Sequence, residues 1–280
     1  MNLKPSTDTT TCCSSSLEHD CLPSCCSNSS EYAIEVSNLC VEFENFLALD
    51  EVSFKIPKGI LTGVVGPNGG GKSTLFNALV GLQPIAHGTI FINGNPPEKL
   101  LGNVSYVPQK EKVNWRFPLS VNDVVSLGKL KHKPFYKIFN IAKDKEIEDA
   151  LRKVGMWHNR TELMVNLSGG QRQRAFIARA LAQKANILLL DEAFSGVDIA
   201  SQKEVLEVLK ELRDEGKTIL IATHDLNTLS NRFDEVLCLN RHICAHGNPE
   251  TVFTKEVLIE LYGSHEVMLS NHKIGQHGDS

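Results

Sequence analysis

Long hydrophobic runs are missing from this 280-residue chain. The most apolar runs, Ile187–Leu190 and Thr218–Ala222, have only four and five residues, whereas a membrane-spanning helix needs about 20. Positive charge is not in excess either, because 29 Lys and Arg are set against 33 Asp and Glu, for a formal net charge of −4. A general nucleic-acid-binding protein usually has a strongly basic face. We therefore expect neither a chain that crosses a membrane by itself nor a nucleic-acid partner.

Cysteine is scarce outside one short segment. Five of the eight cysteines fall within residues 1–30, together with eight Ser and four Thr: Cys12, Cys13, Cys21, Cys25 and Cys26. Such a segment cannot bury enough apolar surface to fold, so we predict a disordered tail over residues 1–30 and a polar tail over residues 264–280. The cysteine spacing lacks the paired C-x2-C of a zinc finger, and whether the tail binds metal stays open. No signal-peptide pattern is found, so we expect free thiols in a reducing compartment.

Short apolar runs alternate with helical patterns between the two tails. The predicted strands are Tyr32–Val36, Val52–Ile56, Leu61–Val65, Thr89–Ile92, Val104–Val107, Ile187–Leu190, Ile219–Ala222 and Val236–Leu239. The predicted helices are Ser73–Gly81, Val121–Leu130, Asp144–Val154, Gln171–Gln183, Ala200–Glu215 and Asn227–Arg232. This alternation predicts an α/β fold with a parallel sheet covered on both faces and an N-terminal antiparallel β element beside it.

A helical subdomain is predicted at about residues 110–168, inserted into the α/β core. Ser120 and Asp123 form a capping-box pattern at the start of its first helix, and the second helix has apolar residues at helical spacing. Lysines cluster after the first of these helices and predict a solvated face, with a docking or anionic-lipid surface as the alternative: Lys129, Lys131, Lys133 and Lys137.

A glycine-rich loop carries the strongest chemical signal. It matches G-x-x-x-x-G-K-[ST], follows the strand Leu61–Val65 and leads into a helix, which is the context that a phosphate-binding P-loop requires. Its glycines let backbone N–H groups surround a β-phosphate, Lys72 is placed to bridge the β- and γ-phosphates, and the Ser73 hydroxyl to bind Mg²⁺. The residues predicted to bind ATP here are Gly66, Pro67, Asn68, Gly69, Gly70, Gly71, Lys72, Ser73 and Thr74.

A second glycine-bearing helix N-terminus follows Leu167 and is another candidate anion site. Its residues are Ser168, Gly169, Gly170 and Gln171. It cannot reach a phosphate that the first loop already surrounds in the same subunit. We therefore predict a dimer in which each chain caps the nucleotide of the other.

Two carboxylates follow the apolar strand Ile187–Leu190, at the end where ligands bind in parallel sheets. Asp191 is placed to hold Mg²⁺ through water, and Glu192 to polarise an attacking water. His224 ends a neighbouring strand and can donate a hydrogen bond to a γ-phosphate.

From Ile34 to about Gly263 the chain resembles the ATP-binding subunits of ABC transporters, which implies one ATPase domain over residues 31–263. The resemblance makes Gly66–Thr74 the Walker A loop, Leu167–Gln171 the signature, and Asp191 and Glu192 the end of Walker B. It also implies that Gln109 contacts Mg²⁺ and relays to a membrane subunit, that Asp198 belongs to the D-loop, and that His224 is the H-loop residue. Phe43 is then expected to stack on adenine, with Phe46 as the alternative. Two departures are Gly70, where Ser or Ala is usual and a looser loop is expected, and Ala193, where Pro is usual.

The stretches Tyr106–Gln109, Val113–Val121 and Phe194–Asp198 resemble the manganese, zinc and iron importers within that family. This implies a motor subunit that uses ATP and Mg²⁺ and acts as a dimer of two copies. The subunit would lie on a separate permease at the cytoplasmic face of the membrane, with an extracytoplasmic metal-binding protein as an indirect partner. The permease is expected to dock between Gln109 and Ser120–Leu130, with Trp115, Phe117 and Leu119 as apolar anchors. Manganese or zinc is the expected cargo.

Three other functions stay open at this point. They are the motor of an exporter, a soluble ABC-type ATPase, and a metal-handling regulator whose Cys-rich tail is the working part. For the soluble ATPase, a chromosome-type member is excluded because only 119 positions separate Lys72 from Asp191, without sustained heptads. A ribosome-type member would carry two nucleotide domains, whereas one Walker A loop is found here.

Overall fold

The computed structural model describes residues 31–44, 46–97, 102–109, 118–129, 144–192, 194–195, 197–224 and 232–263. Several predictions fall outside these ranges: the tails 1–30 and 264–280, Trp115 and Phe117, Ala193, and the helix Asn227–Arg232 apart from its last residue.

The strands form two sheets. A three-stranded antiparallel sheet has the order β2-β1-β4, from β2 (Phe46–Pro57), β1 (Tyr32–Phe43) and β4 (His87–Ile92). A six-stranded sheet has the order β5-β6-β7-β3-β8-β9. Its strands are β3 (Leu61–Val65), β5 (Val104–Val107), β6 (Ile187–Asp191), β7 (Thr218–Thr223), β8 (Glu235–Asn240) and β9 (His242–Gly247). The first five strands in that order run parallel, and β9 is antiparallel to β8 at the edge.

Seven α-helices connect and cover these strands within the described ranges. They are α1 (Lys72–Leu79), α2 (Val121–Leu127), α3 (Lys145–Lys153), α4 (Gly169–Ala182), α5 (Ile199–Asp214), α6 (Pro249–Val252) and α7 (Lys255–Tyr262). The predicted capping box at α2 is present: the Ser120 hydroxyl accepts from the Asp123 N–H, and the Asp123 carboxylate accepts from the Ser120 N–H. An equivalent box, made by Ser168 and Gln171, begins α4. Each box therefore satisfies two backbone N–H groups at its helix start, those of the N-cap residue and of the third helical residue.

The central strands are buried on both faces, which is why they read as continuous apolar runs. Successive residues of β6 point to opposite sides. Leu188 and Leu190 join the cluster made with α2, α3, α4 and α5, whereas Ile187 and Leu189 join the one made with α1 and the antiparallel sheet. All four side chains are at most 1% exposed, and burying each contributes about 1.5–3 kcal/mol. The sheet is thus fixed from both sides, and the loops after its strands leave from one edge.

One lysine of the predicted solvated face is buried instead. Lys129 is 6% exposed, and its Nζ lies 2.5 Å from carboxylate oxygens of both Asp144 and Glu146. The expectation for this position was wrong, because α3 brings two acids to a lysine that the sequence separates from them by more than a dozen residues. Within the described ranges, no helix combines the length and hydrophobicity needed to cross a bilayer.

Candidate active site

The loop between β3 and α1 packs tightly against strands β8 and β2. A Cβ at position 66 would lie 1.9 Å from the Leu239 carbonyl oxygen, and one at position 71 would lie 2.6 Å from Leu49 Cδ2. Gly71 also has a φ of +94°, which side-chain-bearing residues rarely adopt. These glycines are therefore required by close packing as well as by backbone conformation.

Gly70 packs closely against the backbone of its own loop and of β8. A Cβ there would lie 3.0 Å from the carbonyl oxygens of both Leu239 and Pro67. The Gly70 carbonyl oxygen also accepts a hydrogen bond from the Arg241 N–H at 2.9 Å. The missing side chain lets the loop lie close to the end of β8 and be held there.

Lys72 is a buried cation at the centre of the loop. It is 5% exposed, and its Nζ donates to the carbonyl oxygens of Gly66 at 2.8 Å and Pro67 at 2.9 Å. Burial lowers the pKa of Lys72, while the charges of Glu192 and Asp191 act in the opposite direction. The ammonium group is thus held beside the loop without full solvation, which suits it to an anionic ligand.

Asp191 ends β6 and is 1% exposed. The Tyr106 hydroxyl donates to its Oδ2 at 3.1 Å, whereas Oδ1 is buried and has no hydrogen-bond partner among the described residues. Burial and the neighbouring Asp191 carboxylate raise the pKa of the Tyr106 hydroxyl well above its usual range, so it acts as a neutral donor. A buried carboxylate oxygen with no donor fits the hydrated Mg²⁺ that the sequence predicted at this position.

Glu192 and Gln109 come together from neighbouring strand ends. The Gln109 Nε2 donates to Glu192 Oε2 at 2.7 Å, and the Glu192 N–H donates to the Ala222 carbonyl oxygen at 3.2 Å. Glu192 has a φ of +48°, a left-handed conformation that costs a non-glycine residue of order 1–3 kcal/mol. The fold therefore holds this carboxylate in place against a local backbone preference.

Just over half of the predicted site residues line one cavity of about 560 Å³. It is lined by Phe43, Phe46, Ala48, Asn68, Gly69, Gly71, Lys72, Ser73, Thr74, Gln109, Glu192, Ser195 and His224. Its volume is within the usual range for small-molecule and cofactor sites. Gly66, Pro67, Gly70 and Asp191 do not line the cavity.

Both aromatic candidates for an adenine platform lie at the mouth of this cavity. Phe43 pairs with Phe46 across the turn between β1 and β2, and the rings are 44% and 46% exposed. The Arg241 guanidinium lies 4.7 Å from the centre of the Phe46 ring. Both rings therefore line the cavity, and either one is placed to stack on adenine.

The second predicted anion site does not contribute to this cavity. Ser168 is exposed at the start of α4 and Asp198 is exposed at the start of α5, where its Oδ1 accepts from the Ser201 N–H at 2.9 Å. Backbone hydrogen bonds at this helix start lower the pKa of Asp198. Gly170 is buried between them, and a Cβ there would lie 2.5 Å from Ser201 Cβ. This separation is compatible with the predicted dimer, because Ser168 and Asp198 remain accessible to another chain.

Sequence reasoning missed two residues that bear on the site. Tyr106 is the donor to Asp191. The sequence predicted its strand and included it in the stretch Tyr106–Gln109, but the pairing of that strand with β6 comes from the structure. Arg241 fixes Gly70 and covers Phe46, yet no motif surrounds it. Leu119, predicted as a docking anchor, is only partly buried and packs on the core that contains α2, α3 and α4.

Comparison with known proteins identifies the family. The ABC transporter profile matches residues 49–195. The manganese transport system ATP-binding protein MntB of Halalkalibacterium halodurans is 40% identical over 229 residues, covering 82% of this chain and 91% of that protein. The zinc transport system ATP-binding protein TroB of Treponema pallidum is 39% identical over 232 residues, covering 83% and 87%. The structure of cbiO1 from Clostridium perfringens, part of the ABC transporter complex cbiONQ, has a TM-score of 0.70 at 29% identity and covers 86% of this chain and 100% of its own.

These matches agree with the buried lysine, the glycine loop and the paired acids at one edge of a parallel sheet. The family profile covers just over half of the chain, and the relatives extend the similarity over most of it. The chain therefore belongs to the ABC transporter family, as an ATP-binding subunit that hydrolyses ATP.

Proposed function

We propose that the chain is the ATP-hydrolysing motor of an importer for a divalent transition metal, manganese or zinc. The observation that carries the proposal is the cavity in which Lys72, Gln109 and Glu192 meet, in a chain about 40% identical to manganese and zinc transport ATP-binding proteins. The subunit would act peripherally, at the cytoplasmic face of a membrane, as a pair on a separate permease.

Within the cavity, the loop from Gly66 to Thr74 would hold the phosphates of ATP. Phosphate oxygens would replace the loop carbonyls as partners of the Lys72 ammonium group, which is already desolvated. Ser73, Gln109 and Asp191 are the groups proposed to hold Mg²⁺. Support for this comes from the buried Asp191 Oδ1, which has no donor among the described residues.

Hydrolysis requires a base close to the attacking water. Glu192 is proposed for that role and Gln109 to hold its carboxylate in position through the 2.7 Å hydrogen bond. A positioned base contributes roughly 10²–10⁴ in rate. His224 lines the same cavity and is proposed to donate a hydrogen bond to the γ-phosphate.

Two copies are proposed to share each site. Ser168, Gly169, Gly170, Gln171 and Asp198 lie outside the cavity of their own chain, and the free N–H groups at the start of α4 suit an anion. A partner chain would bring these groups to the γ-phosphate.

The permease is proposed to dock on the helical segment that follows Gln109. Leu127, Leu163 and Val165 are 38%, 38% and 50% exposed there, and Leu163 pairs with Ser120 at the start of α2. Such apolar side chains are suited to a buried contact. A shift of α2 would move both Gln109 and the packed helix α4, which links docking to the catalytic groups.

Metal uptake by cells that lack the native subunit tests the proposal. Cells supplied with the natural chain are expected to accumulate radiolabelled manganese or zinc, and cells supplied with Glu192→Gln are not. The matched control is Glu207→Gln on α5, where the side chain is 68% exposed and does not line the cavity. Uptake that is equal in all three strains would refute the import function, and metal loss driven by the natural chain would identify an exporter.

A further inference from the structure

A cluster of three metal-ligand side chains lies outside the nucleotide cavity, on the edge strand β9 and helix α7. The ligand atoms of His242, Cys244 and Glu260 all lie within 4.8 Å of one another. His242 Nε2 is 2.7 Å from Glu260 Oε1 and 3.8 Å from Cys244 Sγ. We propose that His242, Cys244 and Glu260 form a Zn²⁺ site that links β9 to α7.

Local structure explains why these groups meet. His242 and Cys244 are two residues apart on β9, and the β8–β9 pairing is irregular at Cys244, between the pairs Cys238–Ala245 and Leu239–Ile243. The irregular strand brings Cys244 Sγ to 3.8 Å from His242 Nε2. The Asn240 amide donates to the carbonyl oxygens of Glu260 and Leu261, each at 3.3 Å, which fixes the C-terminal end of α7 against the hairpin. The three ligands therefore come from two elements that the backbone already holds together.

The spacing fits tetrahedral zinc. With zinc–sulfur and zinc–nitrogen bonds of about 2.3 and 2.0–2.1 Å, the sulfur and nitrogen ligands should be about 3.6 Å apart, close to the observed 3.8 Å. The oxygen and nitrogen would have to separate by roughly 0.6 Å from their present hydrogen bond. Both side chains are about half exposed, at 49% and 48%, so this adjustment is easy and a water molecule can take the fourth position.

The donor set also selects among divalent ions. A thiolate with an imidazole suits zinc, whereas manganese prefers oxygen ligands and binds more weakly to mixed sites. Binding releases the thiol proton, because the thiolate is the form of cysteine that ligates a metal.

The proposed zinc site lies next to a residue that contacts the nucleotide cavity. Arg241 directly precedes His242, donates its N–H to Gly70 and covers the Phe46 ring. Its carbonyl oxygen also accepts from the Asp50 N–H at 2.8 Å. Zinc at His242 and nucleotide at the cavity therefore act on one short segment, and each is expected to change the affinity of the other by the same factor.

Zinc binding by the full chain tests the site. The five cysteines of residues 1–30 are first replaced by Ser, so that only Cys40, Cys238 and Cys244 remain. This background protein is dialysed against buffered Zn²⁺ and should bind one equivalent, with at least tenfold weaker binding in Cys244→Ser and His242→Ala. The matched controls are Cys40→Ser, a free thiol elsewhere, and His246→Gln, on the same strand but hydrogen-bonded to Glu235 at 3.1 Å. Both controls should bind zinc like the background.

Co²⁺ provides a direct readout of the thiolate. The background protein should develop a thiolate-to-cobalt charge-transfer band that Cys244→Ser lacks, while Glu260→Gln keeps the band with weaker binding. Failure of the background to bind one zinc, or unchanged zinc binding by Cys244→Ser, would overturn the site. Equal zinc affinities with and without a non-hydrolysable ATP analogue would overturn the link to the nucleotide cavity.

Discussion

Replacement of Tyr106 by Phe removes the hydroxyl group that donates a hydrogen bond to Asp191. The change keeps the ring, which packs edge-on against Phe76 with centroids 6.5 Å apart, so the core should not be disturbed. What is lost is the donor to Asp191 Oδ2 at 3.1 Å. Since Oδ1 already lacks a partner among the described residues, the variant has a buried carboxylate with no direct donor on either oxygen.

The expected effect is a loss of stability in the nucleotide-free protein. A hydrogen bond to a charged group contributes about 1.5–3 kcal/mol, and the long distance favours the lower end of that range. A loss of about 1.5 kcal/mol lowers the unfolding midpoint by roughly 3–6 °C for a domain of this size. Thermal unfolding followed by circular dichroism measures the shift.

A double-mutant cycle with Asp191→Asn isolates the pair. If the hydroxyl acts through the carboxylate, the stability losses of Tyr106→Phe and Asp191→Asn should be non-additive by more than about 0.5 kcal/mol. Additive losses, or an unfolding midpoint that Tyr106→Phe leaves unchanged, would refute the role given to this hydrogen bond.

Three further predictions concern the proposed nucleotide and docking sites. Lys72→Ala should abolish calorimetric binding of MgATP, because the phosphates lose a desolvated cation, and unchanged affinity would remove Lys72 from the site. Ser168→Glu should leave nucleotide binding to the single chain intact, while its carboxylate repels the γ-phosphate of a partner chain; a normal ATP-dependent dimer in sedimentation would contradict the shared site. Ser168 is chosen for this test because a side chain at Gly170 would collide with Ser201 in the same chain. Leu127→Ser should lower transport at least tenfold and keep the basal ATPase rate of the isolated subunit; full transport would show that this exposed residue is no docking contact.

The sequence was most informative where burial is complete. Each predicted strand has a counterpart in the structure. Strands β3, β6, β7 and β8 are buried along nearly their whole length, and a strand covered on both faces must be apolar throughout. Strand β9 was not predicted, since it pairs on one side only and its residues are partly exposed. An edge strand of this kind has no continuous apolar run by which to recognise it.

The motif residues of the candidate site were predictable for a different reason. Phosphate and Mg²⁺ chemistry requires particular residue types at fixed spacing, as at Lys72 and Ser73. The partners of those residues were not predictable. Two examples are the Leu239 carbonyl, which excludes a side chain at Gly66, and the Tyr106 hydroxyl, which donates to Asp191. Each partner is far away in sequence, and the two come together only through the order of strands in the sheet.

The left-handed backbone conformation of Glu192 lowers the stability of the fold at a residue proposed for catalysis. Glycine would adopt its φ of +48° without strain, and relief of such strain is worth of order 1 kcal/mol or more. Selection of variants for heat resistance alone would therefore reward the loss of this carboxylate. Because Glu192 is also the base proposed for ATP hydrolysis, the same glycine variant is expected to lose turnover, so stability and activity are opposed at this position.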